Sequence, residues 1–102
     1  MGTFVLVWAT FLEPPVFGEN GKDVFTANCV ACHGQDGRAR TPAGRKLRAK
    51  DLTVSKLTDP EIRRRVNEGH KDERGTVMPP FKDILKSDQI DAVVAFVRSL
   101  RK

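Results

Sequence analysis

The chain has 102 residues, with 39% hydrophobic side chains, 18 Lys and Arg against 13 Asp and Glu, a formal charge of +5 and two cysteines. That length is one domain, and the composition excludes intrinsic disorder, collagen-like repeats and a disulfide-dense scaffold. The longest apolar run, Phe4 to Leu12, is broken by Thr10 and falls short of the roughly 18 apolar residues of a membrane helix.

Residues 1–12 are apolar, and Glu13-Pro14-Pro15 stops any regular element there. The chain therefore divides into an apolar N-terminal arm or linker remnant, 1–16, and a domain, 17–102. No Lys or Arg precedes the apolar run, so the arm does not read as a signal peptide. Its exposed apolar side chains, with Trp8 among them, predict a contact surface, and a homodimer through residues 1–12 is one expectation.

A first helix is predicted from about Glu19 to Asn28, leading into Cys29. Residues 34–50 carry Gly34, Gly37, Pro42 and Gly44 among six basic residues, and read as an irregular loop. Thr58-Asp59-Pro60-Glu61 fits a capping box, and Ile62 and Val66 share a face, which predicts a short helix over 59–68 ended by Gly69. Residues 69–86 read as irregular, because Pro79 and Pro80 forbid a helix. Ser87 is the expected N-cap of a last helix, 88–100, with Ile90, Val93, Val94, Val97 and Leu100 as its apolar stripe. No strand is predicted in the domain, so the fold class is all-α.

The two cysteines stand in Cys29-Val30-Ala31-Cys32-His33. A thioredoxin-like redox pair needs a βαβ context, which is missing. A zinc site of Cys29, Cys32, His33 and His70 matches no common module, and adjacent Cys32 and His33 would have to turn toward one ion. The C-x-x-C-H reading uses every residue of the run: two thiols to add to haem vinyl groups and an imidazole to reach the iron. His33 is then the proximal ligand, its other ring nitrogen bonded to a backbone carbonyl, for which Pro42 is the candidate. Met78 and His70 are the candidates for the opposite axial position. Met78, in a proline-stiffened Met78-Pro79-Pro80-Phe81 loop, offers a soft thioether that raises the reduction potential. His70 lies among charges and between glycines, as an exposed loop histidine would.

From about Gly21 to Leu100 the sequence resembles the small bacterial class I cytochromes c. Gly21, Phe25 and Cys29 look like that family's first helix, with the glycine permitting close packing on the last helix. Cys29 to His33 resembles its haem-attachment motif. Asn67-Glu68-Gly69 followed by Met78-Pro79-Pro80-Phe81 resembles its distal-methionine region. Val93 and Phe96 look like the residues of its last helix that meet the first.

The resemblance implies a few short helices and irregular loops around one covalently bound haem c. The implied function is one-electron transfer and not catalysis. It also implies a location in the periplasm or on an extracytoplasmic membrane face. The chain departs from the pattern in three ways. The loop from His70 to Val77 is longer than in the shortest members, Phe96 stands where Tyr is commoner, and the only tryptophan lies in the arm. The indole that bonds a haem propionate in some members is thus expected to be missing. Pro42, Arg45 and Lys46 are expected around the haem, with Arg40, Arg45, Lys46 and Arg48 as substitutes for that indole.

The basic balance predicts redox partners with an acidic docking face. Nucleic acid is not expected, since no binding motif or set of stacking aromatics accompanies the charge. A membrane enters only through a partner or a lost anchor. The rival readings are a domain cut from a larger membrane oxidoreductase and, with the sixth position open, a haem peroxidase or sensor.

Overall fold

The computed structural model describes residues 20–102. The apolar arm and the dimer contact expected of residues 1–12 lie outside the described residues. The elements are α1 (Gly21–Asn28), α2 (Val30–His33), α3 (Pro42–Leu47), a 3₁₀ turn (Leu52–Val54), α4 (Asp59–Glu68), β1 (His70–Lys71), β2 (Val77–Met78) and α5 (Ser87–Ser99).

Helix α1 starts where the Asn20 side chain accepts the Asp23 N–H at 2.9 Å. Its inner face is Val24 and Phe25, both buried. That face crosses α5, where Val93 is wholly buried and the Phe25 and Phe96 rings lie 5.1 Å apart, tilted by 51°. Gly21 makes the crossing possible: a Cβ there would stand 2.8 Å from Phe96 Cβ and overlap the Ala92 carbonyl. The four residues expected at this contact, Gly21, Phe25, Val93 and Phe96, do meet.

Helix α4 adds Ile62 and Val66 to the same core, together with Leu85, Ile90, Val94 and Val97. Its capping box forms as expected, with Thr58 N–H donating to Glu61 Oε1 at 2.8 Å and Glu61 N–H to Thr58 Oγ1 at 3.3 Å. Arg63 reaches Asp91 at 2.8 Å and Arg98 reaches Asp59 at 2.9 Å, clipping α4 to α5. Both pairs are exposed and orient the helices more than they stabilise them.

Three expectations are corrected. Residues 34–50 hold a helix, α3, started by Thr41 as N-cap and Pro42 in the first turn. Its outer side chains are Arg45 and Lys46, so no apolar stripe announces it; its buried residue is Gly44, against the Cys32 carbonyl. The segment 69–86 holds a short antiparallel ladder, His70 opposite Met78 and Lys71 opposite Val77. Asp72 makes its turn, with Oδ1 accepting the N–H groups of Arg74 (2.9 Å) and Thr76 (3.1 Å). The last helix begins one residue early, so Ser87 is its first residue and Lys86 its N-cap. The Gln89 side chain accepts the Lys86 N–H at 2.7 Å and fixes that start. No helix among the described residues is long and apolar enough to cross a membrane.

Candidate functional site

Cys29 is the hinge between α1 and α2. Its backbone (φ −119°) departs from the helix, and its carbonyl then accepts His33 N–H at 2.8 Å. This turn gathers Cys29, Cys32 and His33 along one cleft. Thr41 clamps it from α3: its hydroxyl proton lies between the carbonyls of Ala31 (2.7 Å) and Cys32 (3.1 Å), and its oxygen accepts Gly44 N–H. Cys29 and Cys32 form no disulfide. Burial, and then the neighbouring Cys32, push the Cys29 thiol up to about 11, so it stays protonated at neutral pH.

His33 Nδ1 lies 3.0 Å from the carbonyl oxygen of Lys50. A carbonyl only accepts, so Nδ1 carries the proton and Nε2 keeps the lone pair a metal needs. Burial, against the opposing effect of that hydrogen bond, lowers the His33 pKa and keeps the ring neutral. The carbonyl is that of Lys50 and not of Pro42. Lys50 is held by its neighbour: Asp51 Oδ1 takes the Thr53 N–H (2.9 Å) and hydroxyl (2.6 Å), and Leu52 N–H binds Gly37.

Two clefts meet at His33, Lys50, Arg65 and Met78, which line both. One opens to Cys29, Cys32, Thr76 and Val77; the other, about 400 Å³, runs inward to Leu52, Leu57, Ile62, Val66 and Val97. The result is a largely apolar slot with two imidazoles, His33 and His70, and a thioether, Met78, on its walls and two thiols at one end. That donor set suits haem: soft sulfur and nitrogen for the iron, thiols for covalent attachment and apolar walls for the ring. It does not suit zinc, since no three His, Cys, Asp or Glu side chains converge to hold a metal ion among the described residues.

Met78 is placed by β2 and by Pro79 and Pro80, which end the ladder. Arg45 and Lys46 lie exposed on α3 and line neither cleft. The basic residues that do are Lys50 and Arg65. Sequence reasoning missed Arg65; its one signal is its place between Ile62 and Val66, on the flank of the buried face of α4.

The family model described as Cytochrome c matches residues 18–101. The chain belongs to the cytochrome c family. It is 37% identical to a cytochrome c6 of Bryopsis maxima, over 78% of this chain and 86% of that protein. It is 30% identical to the cbb3-type cytochrome c oxidase subunit FixPc of Rhizobium leguminosarum bv. viciae, over 92% of this chain but only 32% of that subunit. Among solved structures, the KustC0563 c-type cytochrome superposes with a TM-score of 0.71 at 31% identity, covering 81% of this chain and 99% of that one. The protein is therefore a class I c-type cytochrome with one covalently bound haem c. It is an electron carrier working between redox partners and not an enzyme.

Proposed function

We propose that Cys29 and Cys32 hold the haem by thioether bonds and that His33 and Met78 are the axial ligands of its iron. Bound there, haem supplies one-electron chemistry by alternating between Fe(II) and Fe(III). The protein's part is to keep the ligands still. The Lys50 carbonyl fixes the His33 ring and raises its basicity, while the β1–β2 ladder and two prolines fix Met78. The walls of the slot are mostly apolar, and with both residues bound the iron would keep no position for substrate. The observation that carries this reading is that His33 and Met78 line the same slot, with His33 Nε2 left free to bind. Oxidised and reduced absorption spectra test it. A thioether-linked, low-spin haem with a sulfur-to-iron charge-transfer band is expected; a high-spin or extractable haem refutes it.

The proposed partners present an acidic face to the basic mouth of the slot, where Lys50 is exposed, and the proposed location is extracytoplasmic. A second reading has one observation in its favour: the match to FixPc spans about a third of that subunit, as a domain of a larger membrane-bound oxidoreductase would. Both readings share the same chemistry. A full carrier exchanges electrons with a separate partner at a rate proportional to partner concentration, whereas a domain inside one polypeptide does not.

A further inference from the structure

The distal hairpin carries a second side chain of ligating chemistry. His70 and Met78 are direct partners in the β1–β2 ladder. Directly opposite residues of an antiparallel pair project to the same face, with Cβ atoms about 4.5–5.5 Å apart. Both side chains line the cleft that holds His33 and the two thiols. In the neighbouring pair, Val77 also borders this cleft and Lys71 does not.

His70 is part-buried and only loosely held. Its Nε2 lies 3.6 Å from Asp72 Oδ2, longer than an ordinary hydrogen bond. The other oxygen of Asp72 is the one that takes the Arg74 and Thr76 N–H groups and makes the turn. The ring can leave Asp72 without unmaking the hairpin. The backbone that presents Met78 to the slot thus presents an imidazole from the same rung.

We propose that His70 is a reserve axial ligand, which takes the place of the Met78 sulfur when that sulfur is removed and pairs with His33 across the slot. This rests on the His33/Met78 assignment above. The exchange replaces one sulfur–iron bond by one nitrogen–iron bond and leaves the oxidation state of the iron unchanged. Imidazole is a good ligand for iron, and loss of the methionine lowers the reduction potential. The hairpin would then hold two ligation states of different potential on one backbone.

The test uses haem-loaded full-length chain in five forms: wild type, His70→Ala, Met78→Ala, Met78→Leu, and Met78→Leu with His70→Ala. Leu keeps the volume of Met, so the slot stays packed if the Ala variant does not fold. The readouts are absorption and electron paramagnetic resonance spectra, the reduction potential, and carbon monoxide binding to the reduced protein. Wild type and His70→Ala should both show the sulfur-to-iron band. The single Met78 variants should lose it, stay low-spin and fall in potential. The double variant should turn high-spin and bind carbon monoxide roughly tenfold or more tightly than Met78→Leu, because His70 then no longer competes for the site. High-spin single variants with the double variant's carbon monoxide affinity overturn the proposal, as does a double variant that stays low-spin. A wild type without the sulfur band refutes the Met78 assignment instead, whereas loss of that band only in His70→Ala shows that His70 positions Met78 and overturns the reserve role.

Discussion

Gly21→Ala tests the packing on which the haem slot rests. Gly21 begins α1 with ordinary helical geometry, so an alanine there meets no backbone strain. In an open helix the change would be neutral or would stabilise by up to about 1 kcal/mol. Here the new methyl would stand 2.8 Å from Phe96 Cβ, where carbon atoms rest at about 3.5–4.0 Å, and would overlap the Ala92 carbonyl. Trimming a side chain cannot relieve a clash with a backbone oxygen, so α1 must retreat from α5 by roughly 1 Å. That loosens the Phe25–Phe96 ring contact and the packing on Val93. Overpacking of this kind costs about 1–3 kcal/mol. Guanidinium unfolding of the haem-loaded protein, followed by far-ultraviolet circular dichroism, should show a midpoint lowered by roughly 0.3–1 M. Lys22→Ala, exposed one residue on, is the control and should stay within about 0.5 kcal/mol of wild type. A Gly21→Ala protein as stable as wild type, or more so, would refute the close crossing.

Thr58→Ala removes the N-cap of α4 and should cost about 1 kcal/mol in the same unfolding assay. Hydrogen bonds from Thr58 hold the Glu61 carboxyl below its ordinary pKa, so its contribution is full above the unfolded-state pKa and disappears as pH falls through the lowered folded value. Glu61→Gln, which can still accept the Thr58 N–H, should therefore lose less stability than wild type between neutral and acid pH, as read from unfolding midpoints. Replacing both Cys29 and Cys32 by Ala should yield a chain whose haem, if bound, is removed by acid and organic solvent. Electron transfer to an acidic partner should slow as salt rises, since attraction across the interface is screened over about 10 Å at 0.1 M; stopped-flow rates independent of salt would refute the electrostatic docking.

Much of this protein is local, and local features can be read from the chain alone. Cys29, Cys32 and His33 are contiguous, so their grouping needs no tertiary structure. The Thr58–Glu61 capping box and the stripe from Ile90 to Val97 lie within single helices, and both form as the spacing predicts. The pairing of α1 with α5 was legible only through the family resemblance carried by Gly21, Phe25, Val93 and Phe96, since the two helices stand far apart in the chain.

What the tertiary structure decided depends on segments far apart in sequence. The carbonyl that orients His33 comes from Lys50, 17 residues on, and a carbonyl exists at every position, so composition carries no mark of which one is used. Helix α3 was hidden because it buries a glycine and exposes arginine and lysine; its stability comes from the Thr41 clamp on the backbone of the haem motif. The ladder that sets His70 beside Met78 is two residues long, too short for any alternation of apolar and polar side chains to show. Arg65 enters the slot because α4 packs with Ile62 and Val66 inward, which turns its flank toward the cleft. Residue type and short-range spacing determine which chemistry the chain can hold. Only the packing of helices and loops against one another determines which backbone oxygen, which arginine and which histidine stand next to it.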